Sequence, residues 1–133
     1  MLYSDLKTVM LKEKKRIITF GTYDLLHEGH LRLLERAKKI GDHLTVGIST
    51  DALNSNKGKR SVFPQEQRLA YVKALKYVDE VFYEESLEKK DEYIKQFNAD
   101  VLVMGDDWKG KFDWVSCAVT YLTRTKDISS TII

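Results

Sequence analysis

A strand-length apolar run, an amphipathic helix-length segment and a second apolar run follow one another near the start of this chain. No other feature constrains its fold as tightly. In residues 16–20, Ile17, Ile18 and Phe20 read as a buried strand, ended by Gly21 and Thr22. In residues 29–39, Leu31, Leu34 and Lys38 are spaced by a turn, and Leu33, Ala37 and Ile40 widen the apolar stripe. Arg32, Glu35, Arg36 and Lys39 supply the wet side, and Gly41 is placed to stop the helix. Residues 44–48 form the second strand, where Gly47 marks a close approach of backbone. Strand, helix, strand is the unit of a right-handed parallel crossover.

The pattern continues. Residues 54–60, NSNKGKR, have turn chemistry and almost nothing to bury, so they read as a surface loop. Pro64 can open a helix over 64–77, with Leu69, Val72 and Leu75 on one face. Strands are expected at 78–83, 101–104 and 118–122, and a helix at 87–97. Alternating strands and helices, with several strands apolar on both faces, predict a three-layer α/β domain around a parallel sheet. Residues 1–14 read as an N-terminal extension before a domain at 15–133. Its Leu2, Leu6, Val9 and Met10 form a stripe that docks on the core or a partner, or belongs to a frayed tail.

Composition narrows the function. At 133 residues the chain has the size of one domain, whose core needs no disulfide staple. Hydrophobic residues at 43% and charged residues at 32% argue against a disordered tail and against a membrane protein. Lys plus Arg number 22 and Asp plus Glu 20, a net charge of +2. That balance speaks against a nucleic-acid surface but permits a local cationic pocket. One cysteine, Cys117, makes neither an intramolecular disulfide nor a thiolate metal cluster. No apolar run approaches a bilayer span, so no membrane insertion and a cytoplasmic location are expected.

In such a sheet, ligands bind beyond the carboxyl ends of the strands. Five polar clusters are expected there: residues 21–30, residues 57–60 with Arg68, Lys76, residues 105–108 and residues 124–131. The first, GTYDLLHEGH, sets His27 and His30 on one side of a helix start, where free N–H groups and the dipole attract an anion. Gly29 lacks a Cβ and would let a bulky anion or a base lie against the backbone. Nearly neutral imidazoles can donate to phosphate oxygens and strengthen those bonds as charge builds. On the residues alone, two other readings stay open. One is a pair of surface histidines; the other is a metal pair with Asp24 as third ligand, although this spacing is no zincin pattern. The P-loop pattern GxxxxGK(S/T) is absent, so a phosphate site must be built differently. Lys57, Lys59 and Arg60 read as a phosphate-covering loop or a solvated turn, and Arg68 as a ligand or a helix-surface arginine.

Residues 21–30 contain the HxGH signature of the nucleotidylyltransferase superfamily, and Asp24 is where small cytidylyltransferases have an aspartate. RTKDISST, at 124–131, resembles that superfamily's second signature, RTxGISTT. MGDDWKGKFD, at 104–113, is similar to a stretch of glycerol-3-phosphate cytidylyltransferases. The resemblance runs from about Arg16 to the C-terminus.

This resemblance implies a Rossmann-like fold, a homodimer, and Mg²⁺ or another divalent cation. It also implies CTP and a small phosphorylated acceptor, with in-line attack of the acceptor phosphate on the α-phosphorus. His27, His30, Lys57 and Arg124 would be catalytic. Gly21, Thr22, Tyr23, Asp24, Gly29, Asp106, Arg124, Thr125, Ile128, Ser129 and Ser130 would join the histidines in binding nucleotide. Lys57, Lys59, Arg68 and Lys76 would bind the acceptor, and Asp24 would place the metal, directly or through water. Trp108 would pack beside the cytosine or close the lid.

Three positions depart from the family pattern. Asp127 replaces the signature glycine, Lys76 replaces an arginine, and the branch's tryptophan is missing between residues 81 and 88, where Phe82 and Tyr83 are the nearest aromatics. The last two fall on the acceptor side. The resemblance makes sn-glycerol 3-phosphate the first choice of acceptor, and these departures bear on that choice. Phosphocholine, phosphoethanolamine or another small phosphorylated compound is the alternative, with Tyr83, Trp108, Trp114 and Tyr121 as candidates for an aromatic cage. A further alternative is a catalytically silent nucleotide-binding module that regulates a partner.

Overall fold

The computed structural model describes residues 15–58 and 60–123; the expected N-terminal extension and the second signature lie outside them. Among these residues, five strands form one parallel sheet: β1 (Arg16–Gly21), β2 (His43–Ser49), β3 (Glu80–Glu84), β4 (Val101–Gly105) and β5 (Ala118–Leu122). Their order is β3-β2-β1-β4-β5. Four helices connect them, α1 (Glu28–Ile40), α2 (Asp51–Asn56), α3 (Gln65–Lys73) and α4 (Lys90–Gln96), with a 3₁₀ turn at Asp106–Trp108.

Side-chain alternation along the strands builds two cores. Ile17, Leu44, Val46, Ile48 and Val103 pack on one face with Leu34 and Ala37 of α1 and Val72 of α3. Ile18, Phe20, Leu102 and Met104 pack on the other with Ile94 of α4 and with Phe112 and Val115. The expected three-layer α/β arrangement is thus the one observed. Because β1 pairs with both β2 and β4, the sheet order reverses beside it. That reversal opens a crevice at the carboxyl ends of β1 and β4.

Three elements differ from expectation. The segment read as a loop from residue 54 begins inside α2, whose Asn54 is buried and bonded to Ser49 and Ser61. Helix α3 stops at Lys73 rather than residue 77, because Leu75 and Val78 fold into turns that bring Asp79 onto the Leu44 carbonyl. Helix α4 starts at Lys90 rather than residue 87, after a local turn in which Ser86 Oγ accepts from the Glu88 N–H.

Gly47 does mark a close approach. A Cβ there would lie 2.6 Å from Phe82 Cζ and 2.7 Å from Phe20 Cδ2, two rings packed edge to face. Gly47→Ala is expected to displace Phe20 and destabilise the fold by about 1–3 kcal/mol. Urea unfolding should show a lower midpoint; an unchanged midpoint would mean that the rings move aside freely.

Candidate active site

The crevice has two adjoining lobes of about 590 and about 600 Å³, a size suited to small ligands. Gly21, Thr22, Tyr23, His27, His30 and Trp108 line both. Asp24, Lys57, Arg60, Glu84 and Lys90 line the first lobe only. Gly29, Arg36, Asp106 and Thr123 line the second only. The two histidines therefore stand on the wall that the lobes share.

Both histidines also cap α1. His27 Nδ1 accepts from the Gly29 N–H at 3.0 Å, and His30 Nδ1 accepts from the His27 N–H at 3.3 Å. This is a capping box made by imidazoles. A neutral imidazole that accepts at Nδ1 carries its proton on Nε2. Capping thus fixes one tautomer in both rings and leaves Nε2–H as the donor edge. The ring centroids lie 4.0 Å apart, and Tyr23 packs edge to face on His30 at 5.5 Å. Burial, and then the neighbouring His27, push His30 below its ordinary value while the Leu25 carbonyl opposes them, which favours the neutral ring. Gly29 lines the second lobe and has a further duty. A Cβ on it would lie 2.7 Å from His27 Cε1, so the missing side chain also makes room for the His27 ring.

Tyr23 has φ +53°, an unusual backbone conformation for a bulky residue. It is buried against the first core, and burial pushes its phenol far up. Asp24, next along, clamps the loop before α3. Its Oδ2 accepts from the Val62 N–H at 2.7 Å and its Oδ1 from the Phe63 N–H at 2.8 Å. Burial alone would raise this carboxyl, but the N–H groups of Phe63 and Val62, with the Arg68 charge, outweigh it and hold Asp24 below the usual carboxylate range. Among the described residues, no group of three or more His, Cys, Asp and Glu is placed to hold a metal ion. A cation here would rely on ligand oxygens, with Asp24 as the hard oxygen donor of the first lobe.

Arg68 is not a ligand for the acceptor. Its side chain is 0% exposed. Nε donates to the Phe63 carbonyl at 3.0 Å, and Nη1 to the carbonyls of Thr22 at 2.9 Å and Ser49 at 2.7 Å. Nη2 meets Asp51 Oδ1 at 2.7 Å. The guanidinium joins the ends of β1 and β2 to α2 and to the loop that Asp24 clamps, so it braces the site from beneath.

Lys76 is also misplaced by the sequence reading. It precedes β3, and in a parallel sheet that is the end opposite the crevice. The residue is exposed, its ammonium 5.2 Å from the Tyr77 ring centroid, and it lines neither lobe. Lys57, by contrast, closes α2 and reaches the first lobe. Lys59, Arg124, Thr125, Ile128, Ser129 and Ser130 lie outside the described residues, as does Asp127. Trp108 is 44% exposed, tilted against Phe112. Leu87, between residues 81 and 88 where the family's tryptophan is missing, lines the first lobe.

Three site residues escaped the sequence reading. Arg36 was assigned to the wet face of α1, yet it lines the second lobe and donates to the Thr123 carbonyl at 2.7 Å. Glu84 and Lys90 meet across the first lobe at 2.7 Å. Burial pushes Lys90 below the ordinary lysine range, Glu84 pulls it back, and the Lys57 charge adds to the downward push. The sequence carries no local signal for this pair, although Glu84 does fall at a strand end.

Arg68→Lys keeps the charge but loses the fork that reaches four acceptors. It should cost at least about 2 kcal/mol, since buried carbonyls lose their donors. Chemical denaturation is the measurement, and a stability within error of the parent would contradict the brace.

The matches to known proteins agree with this geometry. A family model described as cytidylyltransferase-like matches residues 18–133. A glycerol-3-phosphate cytidylyltransferase of Bacillus subtilis (strain 168) is 51% identical over 121 residues, 90% of this chain and 94% of that protein. One from Staphylococcus aureus (strain NCTC 8325 / PS 47) is 48% identical over 121 residues, 90% of this chain and 92% of that protein. Among solved structures, a lipopolysaccharide core biosynthesis protein from Thermoplasma volcanium GSS1 aligns with a TM-score of 0.71 at 27% identity, over 84% of this chain and 96% of that one. With its two-lobed crevice, its histidine-capped helix and a family match over most of its length, the chain belongs to the cytidylyltransferase-like family of nucleotidyltransferases.

Proposed function

We propose that this chain transfers CMP from CTP to sn-glycerol 3-phosphate, giving CDP-glycerol and pyrophosphate. The observation that carries the reading is the crevice of two adjoining lobes with His27 and His30 on their common wall. Two anionic substrates can then meet at one point. The names of the similar bacterial proteins support the choice of nucleotide and acceptor.

The second lobe, with Gly29, Arg36 and Asp106, would take CTP, and the first, with Lys57 and Arg60, the acceptor phosphate. An acceptor phosphate oxygen attacks the α-phosphorus. A new P–O bond forms as the bond to the bridging oxygen of the β-phosphate breaks, and pyrophosphate leaves with the electron pair. The attacking oxygen is already anionic, so no general base is required. His27 and His30 hold donors for the oxygens that gain charge, and their place on the helix cap means that they need not reorganise during reaction. Lys57 would offset charge between the two phosphate groups.

Mg²⁺ belongs to the same reading. Asp24, in the first lobe, would hold it directly or through water, and the ion would neutralise phosphate charge there. Arg124, Thr125, Ile128, Ser129 and Ser130 would bind the triphosphate, and Lys59 would join Lys57 at the acceptor. A homodimer and a cytoplasmic location complete the proposal. Among the described residues, no helix is long and apolar enough to cross a membrane.

Pyrophosphate release from each of the four NTPs, with a panel of phosphorylated acceptors, tests the function. CTP with sn-glycerol 3-phosphate should be the best pair; a preference for ATP would overturn the nucleotide assignment. His30→Ala should lower kcat by at least about a hundredfold with a much smaller change in CTP affinity. Steady-state rates and calorimetry decide it, and a near-normal kcat would remove His30 from the chemistry.

A further inference from the structure

We propose that Asn54 is a positioning residue for the transfer: it turns the hydroxyl of Ser61 into the first lobe as a donor to the acceptor phosphate. This rests on the reading that the first lobe takes a phosphorylated acceptor. Four side chains are joined in a row. Thr22 Oγ1 lies 3.1 Å from Ser49 Oγ, Ser49 Oγ 2.8 Å from Asn54 Oδ1, and Asn54 Nδ2 2.8 Å from Ser61 Oγ. The row runs from the residue after β1, across the end of β2 and through α2, to the loop before α3. Ser49 and Asn54 are each 1% exposed, whereas Thr22 and Ser61 at the two ends are only partly covered. Thr22, Ser49 and Ser61 all line the first lobe.

The chemistry of these groups fixes the direction of every bond in the row. A carboxamide oxygen only accepts, so the bond to Asn54 uses the one proton of Ser49. Ser49 has no second proton for Thr22, and in that contact Thr22 is the donor. At the other end the Asn54 amide nitrogen only donates, so Ser61 Oγ accepts. Ser61 therefore keeps its own proton, and among the described residues no acceptor takes it. The two ends of the row have opposite characters: Thr22 offers lone pairs to a ligand, and Ser61 offers a donor.

A phosphate dianion has acceptor oxygens alone, so the Ser61 end suits it and the Thr22 end does not. Lys57 and Arg60 in the same lobe add positive charge near by. A serine left to itself turns its hydroxyl toward neighbouring backbone groups. Asn54 prevents this by holding a lone pair of Ser61 Oγ, which leaves the proton for the lobe. Burial gives that hold its strength, since an amide cut off from water must keep its partners. The row also starts from a fixed rim, because Arg68 binds the carbonyls of both Thr22 and Ser49.

The test measures KM and kcat for sn-glycerol 3-phosphate, CTP affinity by calorimetry, and the midpoint of urea unfolding. The variants are Ser61→Ala, Ser61→Thr, Asn54→Leu and the double variant Asn54→Leu, Ser61→Ala. Ser61→Ala should raise KM for the acceptor at least about tenfold, with kcat and CTP affinity near the parent values. Ser61→Thr should restore KM, because it returns the hydroxyl. Asn54→Leu should raise the same KM, and it should add nothing further once Ser61 is alanine. A purely structural Asn54 would lower the urea midpoint and leave KM alone, and that result overturns the proposal. So does an unchanged KM in Ser61→Ala. Should Asn54→Leu not fold, Ser49→Ala withdraws the proton that orients the amide. It should raise KM in the parent but not in Ser61→Ala, and an equal rise in both overturns the proposal. A parent enzyme that prefers another phosphorylated acceptor defeats the acceptor reading alone, because the phosphate is common to both and the same KM comparison is read on that compound.

Discussion

The hydrogen bonds of one buried guanidinium hold this site in shape. Arg68 reaches carbonyls at the ends of β1 and β2, the Asp51 carboxylate at the start of α2, and the loop before α3. The Ser49 carbonyl is buried and the other acceptors lie at the partly covered rim, so the loss of the donor would leave at least one buried group unpaired. Asp24 grips the same loop from the other side through Val62 and Phe63. Arginine and aspartate together bind the first lobe's loop to the β1–α1 connection that carries the histidines. A rigid rim matters here because two phosphate groups repel each other, and a wall that yielded would let them part.

On the proposed reading, the helix cap and the reaction share the same two side chains. His27 and His30 satisfy backbone N–H groups at the start of α1 through Nδ1, and that duty fixes the proton on Nε2. Orientation thus comes from folding rather than from the substrate. Gly29 is part of the device, since any Cβ there would collide with the His27 ring. Tyr23, held at positive φ beneath Gly21 and against His30, closes the group from below.

Much of this was legible in the residues. The β1–α1–β2 opening follows from apolar periodicity, and Gly47 was readable because a glycine inside an apolar strand usually makes room for a neighbour. The histidines were readable because a helix start imposes their geometry. Failures came where tertiary partners decide. Asn54 looked like loop chemistry, but Ser49 and Ser61 supply its bonds and make it a buried part of a helix. Arg68 looked like a ligand because nothing in a sequence reveals four acceptors gathered around one buried side chain. Lys76 reads as a crevice residue from its place before a strand, but the direction of that strand sends it to the far end of β3. Glu84 and Lys90 have no local pattern, and only the fold brings them face to face.

The central claim is direct transfer between two lobes across a shared histidine wall, with no enzyme-bound nucleotide. The stereochemical course at the α-phosphorus tests it most directly. The reaction would be run with one diastereomer of CTP carrying sulfur on that phosphorus, and the configuration of the CDP-glycerol product read by phosphorus NMR. A single in-line displacement predicts inversion. Net retention would mean two displacements through a covalent intermediate, and would contradict the account.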